Sequence, residues 1–186
     1  YVSVQSVVPL KICADGSKST IVRYINKNTN VPTTSIKFNM KSDPNGNNTD
    51  YTGWFITTNY TYIGDTVVAK YTAPKYLNIA GLFREDTIQV VNSSTGNVLY
   101  EHPAKIYRAP VILVHGLWGD MTSMLPIHAS LLNSQKYNSA LLTCADYSST
   151  NSVSFNQNSN VIKNEINSKL IELRILKYSA GKVDIV

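Results

Sequence analysis

The sequence predicts two folding units of different class within 186 residues. An all-β sandwich is expected over residues 1–107. An incomplete α/β unit, a βαβαβ arrangement with a parallel sheet, is expected over residues 108–186. Three observations predict this. The hydrophobic period changes near residue 108, turn signals punctuate the stretch before it, and a continuous apolar run, Val111-Ile112-Leu113-Val114, opens the stretch after it. At roughly 100–200 residues per domain, the length allows one large unit or two modest ones.

In the first unit, short β-branched and aromatic runs predict strands at Val2–Val8, Thr20–Ile25, Ser35–Met40, Gly53–Thr58, Thr66–Tyr71, Thr87–Val91 and Val98–Tyr107. Ile21, Arg23 and Ile25 alternate, as do Val67, Ala69 and Tyr71, and period two gives one buried and one wet face. Asp15-Gly16, Pro44-Asn45-Gly46 and Ser94-Thr95-Gly96-Asn97 supply turns between runs. No stretch here has convincing helical periodicity. Many short strands separated by turns indicate a sandwich.

Arg108-Ala109-Pro110 reads as a short stiff joint. Val111–Val114 has the unbroken apolar character of a strand covered on both faces. Met121–Gln135 predicts a helix with Met124, Ile127, His128 and Leu131 on one face, provided that Pro126 falls in its first turn. Ser139–Thr143 predicts a second strand. A polar loop, Asp146–Val153, leads to Ser154-Phe155-Asn156-Gln157, which fits a capping box. The following helix carries Ile162, Ile166, Leu170 and Leu173 and is expected to end near Lys177–Ala180, with Gly181 as its terminating glycine. Val183–Val186 predicts a third strand. Strand–helix–strand–helix–strand implies parallel pairing with right-handed crossovers.

Composition excludes several function classes. With 43% hydrophobic and 16% charged residues and a net charge of +5, disorder is not expected. No run of 18 apolar residues occurs, so no membrane-spanning helix is expected. The cations are scattered singly, eleven Lys/Arg to seven Asp/Glu through residue 108 and six to five thereafter, without the basic stripe that nucleic acid requires. Two cysteines, Cys13 and Cys144, rule out a disulfide scaffold and a four-cysteine zinc site. Phosphate-cradling glycine motifs are absent, and neither a metal nor a cofactor is expected. Polar Asn, Ser, Thr and Tyr suit a secreted or surface setting. Triplets of the N-x-[ST] type at Asn47, Asn59 and Asn92 arise easily in an Asn-rich chain and carry no weight.

The sharpest feature is the run Val111-Ile112-Leu113-Val114-His115-Gly116-Leu117-Trp118-Gly119-Asp120. A buried strand ends in His-Gly, with a second glycine before a helix. Glycine lets the backbone turn sharply with little bulk, which exposes N–H groups where the strand ends. Such donors can stabilise the oxyanion of a tetrahedral acyl intermediate, each worth roughly 3–4 kcal/mol.

Two family resemblances follow from these motifs. Ala14-Asp15-Gly16-Ser17, Val31-Pro32, Tyr71-Thr72-Ala73-Pro74 and Asp86-Thr87-Ile88-Gln89-Val90, in this order, resemble the bacterial Ig-like domains of the invasin and intimin type over about residues 1–100. That likeness implies an Ig-like sandwich on an exported protein, with its partner unspecified. Residues 110–186 resemble the front of an α/β-hydrolase domain of the lipase and esterase kind, through the 111–120 loop and the terminal Val183-Asp184-Ile185-Val186. In that family the strand before a nucleophile elbow reads this way, and G-x-S-x-G follows it. The resemblance implies that the Leu117 backbone N–H donates to the oxyanion, with His115, Gly116, Trp118 and Gly119 forming the loop. It also implies that His115 is not the catalytic base, which in the family lies downstream of the acid.

None of the nine glycines begins a G-x-S-x-G, so no nucleophile, acid or base set is complete in these residues. The expectation is therefore the front part of a longer secreted serine carboxylester hydrolase acting on an ester or lipid substrate. Its nucleophile would follow Val186, and the 186-residue chain alone would be inactive. The alternative is a cell-surface adhesion or interaction protein whose hydrolase-like part is an inactive scaffold. Other residues read as structural. His128 is expected to be a satisfied structural histidine, His102 to lie at the surface, Asp146 to serve a loop or cap, and Trp54 to fill the sandwich core. Trp118 is expected either to pack or to face an acyl chain. Ser148, Ser149, Ser152 and Ser154 crowd one loop without a paired histidine, and Cys13 and Cys144, falling in different expected units, are not expected to form a bridge.

Overall fold

A computed structural model describes residues 2–6, 8–17, 20–56, 60–77 and 79–186. Val7 of the expected first strand, Thr57 and Thr58 of the expected fourth, and the triplet residue Asn59 lie outside the described residues. In chain order the strands are β1 (Val2–Ser3), β2 (Leu10–Ala14), β3 (Thr20–Ile25), β4 (Ile36–Met40), β5 (Trp54–Phe55), β6 (Thr61–Ile63), β7 (Thr66–Thr72), β8 (Phe83–Asn92) and β9 (Val98–Arg108). They continue with β10 (Val111–Val114), β11 (Leu142–Ala145), β12 (Tyr178–Ser179) and β13 (Asp184–Ile185). The α-helices are α1 (Thr49–Thr52), α2 (Leu125–Asn133) and α3 (Phe155–Ile175).

Alternation builds the first layer pair. One sheet runs β1-β3-β7-β5, with β6 also on β7, and the other runs β12-β2-β9-β8-β4. Val22, Tyr24, Val67, Ala69 and Tyr71 of the first sheet share a buried core with Ile36, Phe38, Ile88, Val90, Ala104 and Ile106 of the second. Each large aliphatic side chain removed from water in this way contributes about 1.5–3 kcal/mol. The open seam of the pair, where β4 and β5 lie at the edges of their sheets, is closed by aromatics. Phe38 stacks on Phe55 at 5.3 Å and on Tyr60 at 5.8 Å. The Tyr60 hydroxyl accepts from the Phe38 N–H at 2.8 Å and donates to the Phe38 carbonyl at 3.2 Å.

The expected fold class is corrected. The described chain is mainly β, in three sheets, and is not an all-β Ig-like sandwich followed by a separate parallel βαβαβ half-domain. After α3 the chain does not return directly to the strand beside β10. It turns at Lys177, which takes a left-handed φ of 64°, and then adds β12 to β2 of the sandwich. Three contacts draw it there. The Tyr178 ring meets Tyr107 edge-on at 4.9 Å, the Lys11 ammonium sits 4.5 Å from the Tyr178 ring centre, and the Thr20 and Ser179 hydroxyls hydrogen-bond. Parallel pairings also occur inside the sandwich, β1 with β3 and β2 with β9. The third sheet is small, with order β11-β10-β13 and only two residues in β13.

The two parts are joined by a shared cluster of Cys13 and Tyr107 from the sandwich with Leu141, Leu173 and Tyr178. Asp15 adds a polar clasp. Its Oδ1 accepts from the Ser17 N–H at 2.7 Å, and its Oδ2 from the Gly181 and Lys182 N–H groups at 2.7 and 3.1 Å. That fixes the backbone just before β13.

Several element-level expectations shift. α1 is a helical turn that composition did not suggest, and Leu10–Ala14 is a strand the alternation test missed. The expected helix 121–135 is a 3₁₀ turn, Met121–Met124, followed by α2, with Pro126 in the first turn. Ile127 of its expected apolar face is 43% exposed. Ser139–Leu141 is a 3₁₀ turn and the strand follows at Leu142. The capping box of Ser154 and Gln157 is present. Lys177, not Gly181, takes the left-handed position after α3. Both cysteines are free.

Candidate functional site

β10 is the central strand of the small sheet, pairing in parallel with β11 through Val111–Val114 and with β13 through Val111 and Ile112. Val111 and Leu113 pack with Leu142 on one side, which fixes where the strand ends. The chain then makes a tight turn in which the Gly119 N–H donates to the Gly116 carbonyl at 3.0 Å. Trp118, its third residue, has φ 64°, a position that turns of this kind reserve for glycine or asparagine. A Cβ on Gly119 would meet the Gly116 oxygen at 3.1 Å and His115 Nδ1 at 3.4 Å, so a side chain there would crowd the turn.

The backbone N–H groups of Leu117 and Trp118 enter no hydrogen bond among the described residues. Leu117 is 65% exposed and Trp118 74% exposed. Trp118 therefore lies mostly in water. An unbonded N–H on an exposed turn is a donor available to an anionic oxygen.

His115 holds the base of the turn and is fully buried. Its Nδ1 lies 3.0 Å from the Gly116 carbonyl and its Nε2 accepts from the Tyr147 N–H at 3.2 Å. The tautomer with hydrogen on Nδ1 satisfies both contacts. The Tyr147 ring stacks on the imidazole at 4.0 Å, and its hydroxyl donates to the His115 carbonyl. Both ring nitrogens are thus engaged inside the protein. Asp146 Oδ1 lies 3.3 Å from Nε2. The Asp146 carboxyl is held below the usual carboxylate range chiefly by the Ser148 backbone N–H and hydroxyl, against a desolvation penalty.

The loop is secured from the other side by Asn151, whose Nδ2 donates to the Gly119 carbonyl at 2.7 Å. Asp120 caps the 3₁₀ turn that follows, accepting from the Thr122 N–H at 2.8 Å. The Thr122 hydroxyl and N–H also lower the Asp120 carboxyl. Sequence reasoning found the loop residues, but missed Tyr147 and Asn151, which are contributed by the segment after β11. Their partners are 32 residues away, and no short motif reports that pairing.

The remaining candidates fall elsewhere. His128 is half-buried on α2. Among the described residues, none of Ser148, Ser149, Ser152 and Ser154 hydrogen-bonds a histidine; Ser148 engages Asp146 and Ser154 engages Gln157. His102 is fully buried in β9, not at the surface as expected. It shares the inward parity of Ala104 and Ile106. Trp54 is 42% exposed on β5, while its neighbour Phe55 takes the core position expected of it. No group of three His, Cys, Asp or Glu that could hold a metal ion occurs among the described residues, and none of their helices is long and apolar enough to cross a membrane.

No family model matches this chain, and no curated protein matches it.

Proposed function

We propose that the 115–119 turn is the oxyanion loop of a secreted or surface serine carboxylester hydrolase, lipase- or esterase-like, whose nucleophile is not among these 186 residues. The observation that carries this reading is the pair of unbonded Leu117 and Trp118 amides at the carboxyl end of β10, on a turn braced by buried His115. The Leu117 N–H would donate to the carbonyl oxygen as it becomes tetrahedral, while a serine outside this segment attacks the acyl carbon. Water would then release the acyl group from that serine. His115 has no free ring nitrogen for proton transfer, so its part is to hold the turn.

The absence of a histidine partner for any serine of the 148–154 loop favours one second reading, a surface interaction protein with an inert scaffold. One experiment separates the two. A protein carrying this segment followed by G-x-S-x-G is expected to hydrolyse short-chain p-nitrophenyl esters and to be silenced by an organophosphate. Replacement of that serine by a non-nucleophile, or an intact motif without turnover on short and long acyl esters, rejects the hydrolase reading. The 186-residue chain alone is expected to show no esterase activity above background.

A further inference from the structure

The sandwich carries a concave site far in sequence from the exposed 115–119 turn. Where the edge strands β4 and β5 face each other, the Asp43–Gly46 turn and Trp54 enclose a groove of about 190 Å³. Phe38 and Phe55, whose rings stack on each other, are among its lining residues. Trp54 borders the groove and is 42% exposed, while every other large aromatic of this seam is covered or engaged.

Part of the polar lining is unspent. Asn39 lines the groove, and its Oδ1 is buried with no hydrogen-bond donor among the described residues. A buried acceptor without a donor is destabilising, and a ligand donor that reached it would relieve that cost. The Asn45 side chain, also in the lining, makes no hydrogen bond among the described residues. By contrast, the Asp43 carboxylate is saturated. It accepts from the Asn47 and Asn48 N–H groups at 2.8 and 2.6 Å and from the Thr52 hydroxyl at 3.1 Å. No charge is left over for a cation, and no cationic side chain lines the groove to attract an anion.

We propose that this groove is a subsite for one ring of a neutral saccharide. A sugar ring presents a flat face of C–H groups, which suits the negative face of an indole. Its vicinal hydroxyls each donate and accept, as the two free amides of Asn39 and Asn45 require. Charged ligands gain nothing here, and an extended peptide needs a longer track than this groove offers. The site does not depend on the hydrolase reading, because none of its residues belongs to the 115–119 turn.

The test titrates the 186-residue protein with maltohexaose, cellohexaose, chitohexaose and mannohexaose, and separately with a proline-rich decapeptide, following amide and indole shifts. At least one hexasaccharide is expected to shift Gly46, Gly53 and the Trp54 indole and to bind in the millimolar range or tighter. Trp54→Ala and Asn39→Ala should each weaken that binding at least about tenfold, while Trp118→Ala leaves it unchanged. No shift of these groups with any hexasaccharide overturns the proposal, as does a shift confined to other residues or one produced by the peptide alone. If Trp54→Ala does not fold, the shift map of the unaltered protein and Asn39→Ala decide the matter.

Discussion

Tyr147 grips His115 at three points: its ring stacks on the imidazole at 4.0 Å, its N–H donates to Nε2 at 3.2 Å, and its hydroxyl donates to the His115 carbonyl. The ring contact and the backbone bond survive Tyr147→Phe, but the buried carbonyl loses its donor. Leaving such a group unpaired costs about 1–3 kcal/mol. The unfolding free energy of Tyr147→Phe should fall by that amount, read as a lower urea midpoint with an unchanged slope. An unaltered midpoint would show that the carbonyl finds water instead.

Trp118 holds a backbone conformation that costs an L-residue roughly 1–2 kcal/mol and leaves its ring 74% exposed. Trp118→Gly removes that strain but gives the unfolded chain more freedom, offsetting roughly 0.5–1 kcal/mol of the gain. The net expectation is a stabilisation of up to about 1 kcal/mol, measured by thermal or urea unfolding. A loss of stability would mean that the indole makes contacts this structure does not contain.

His102 predicts an acid-side loss of stability. Burial pushes its pKa below the ordinary value of 6.5, with the Val4 backbone only partly opposing. Between the ordinary and the lowered value, the unfolded chain binds the proton and the folded chain does not. Stability is therefore full above about pH 6.5 and declines as pH falls below it, until the folded form also protonates. Unfolding free energies measured from pH 8 to pH 5 should show this fall, and His102→Leu should flatten it. The same slope in both proteins would assign the effect to another group.

Asp15 ties the sandwich to the backbone before β13 through the Gly181 and Lys182 N–H groups. Asp15→Ala frees them, and the Val186 carbonyl that receives the Val114 N–H at 2.7 Å then moves with less restraint. Amide exchange at Val114 and Val186 should accelerate, while that at Val22, deep in the sandwich, stays unchanged. Equal acceleration at all three would mean a global loss of stability.

Much of the sandwich was legible because alternation is local. Thr20–Ile25 could be read from six residues, and the Ser154–Gln157 capping box from four. The correction to the fold class came from what lies beyond any local window. Tyr178 and Ser179 have no strand pattern of their own, and they join β2 because Tyr107, Lys11 and Thr20 receive them across more than 150 residues for the latter two. Trp54 and Phe55 show the parity limit. Both are aromatic, and only the pairing of Trp54 with Thr72 decides that Phe55 is the inward one. His102 was misplaced for the same reason, since a polar residue on the inward parity of a strand looks like an outward one. At the loop, glycine spacing disclosed the turn, but not the tyrosine that braces it.

The single hydroxyl of Tyr60 occupies both outward-facing backbone groups of Phe38 on the last strand of its sheet. A neighbouring chain arriving there finds no template to extend, so accretion of foreign strands on that flank is blocked by one phenol. Replacing it with phenylalanine would preserve the ring stack while unlocking the flank, and the concentrated variant is expected to sediment as larger species than the parent chain.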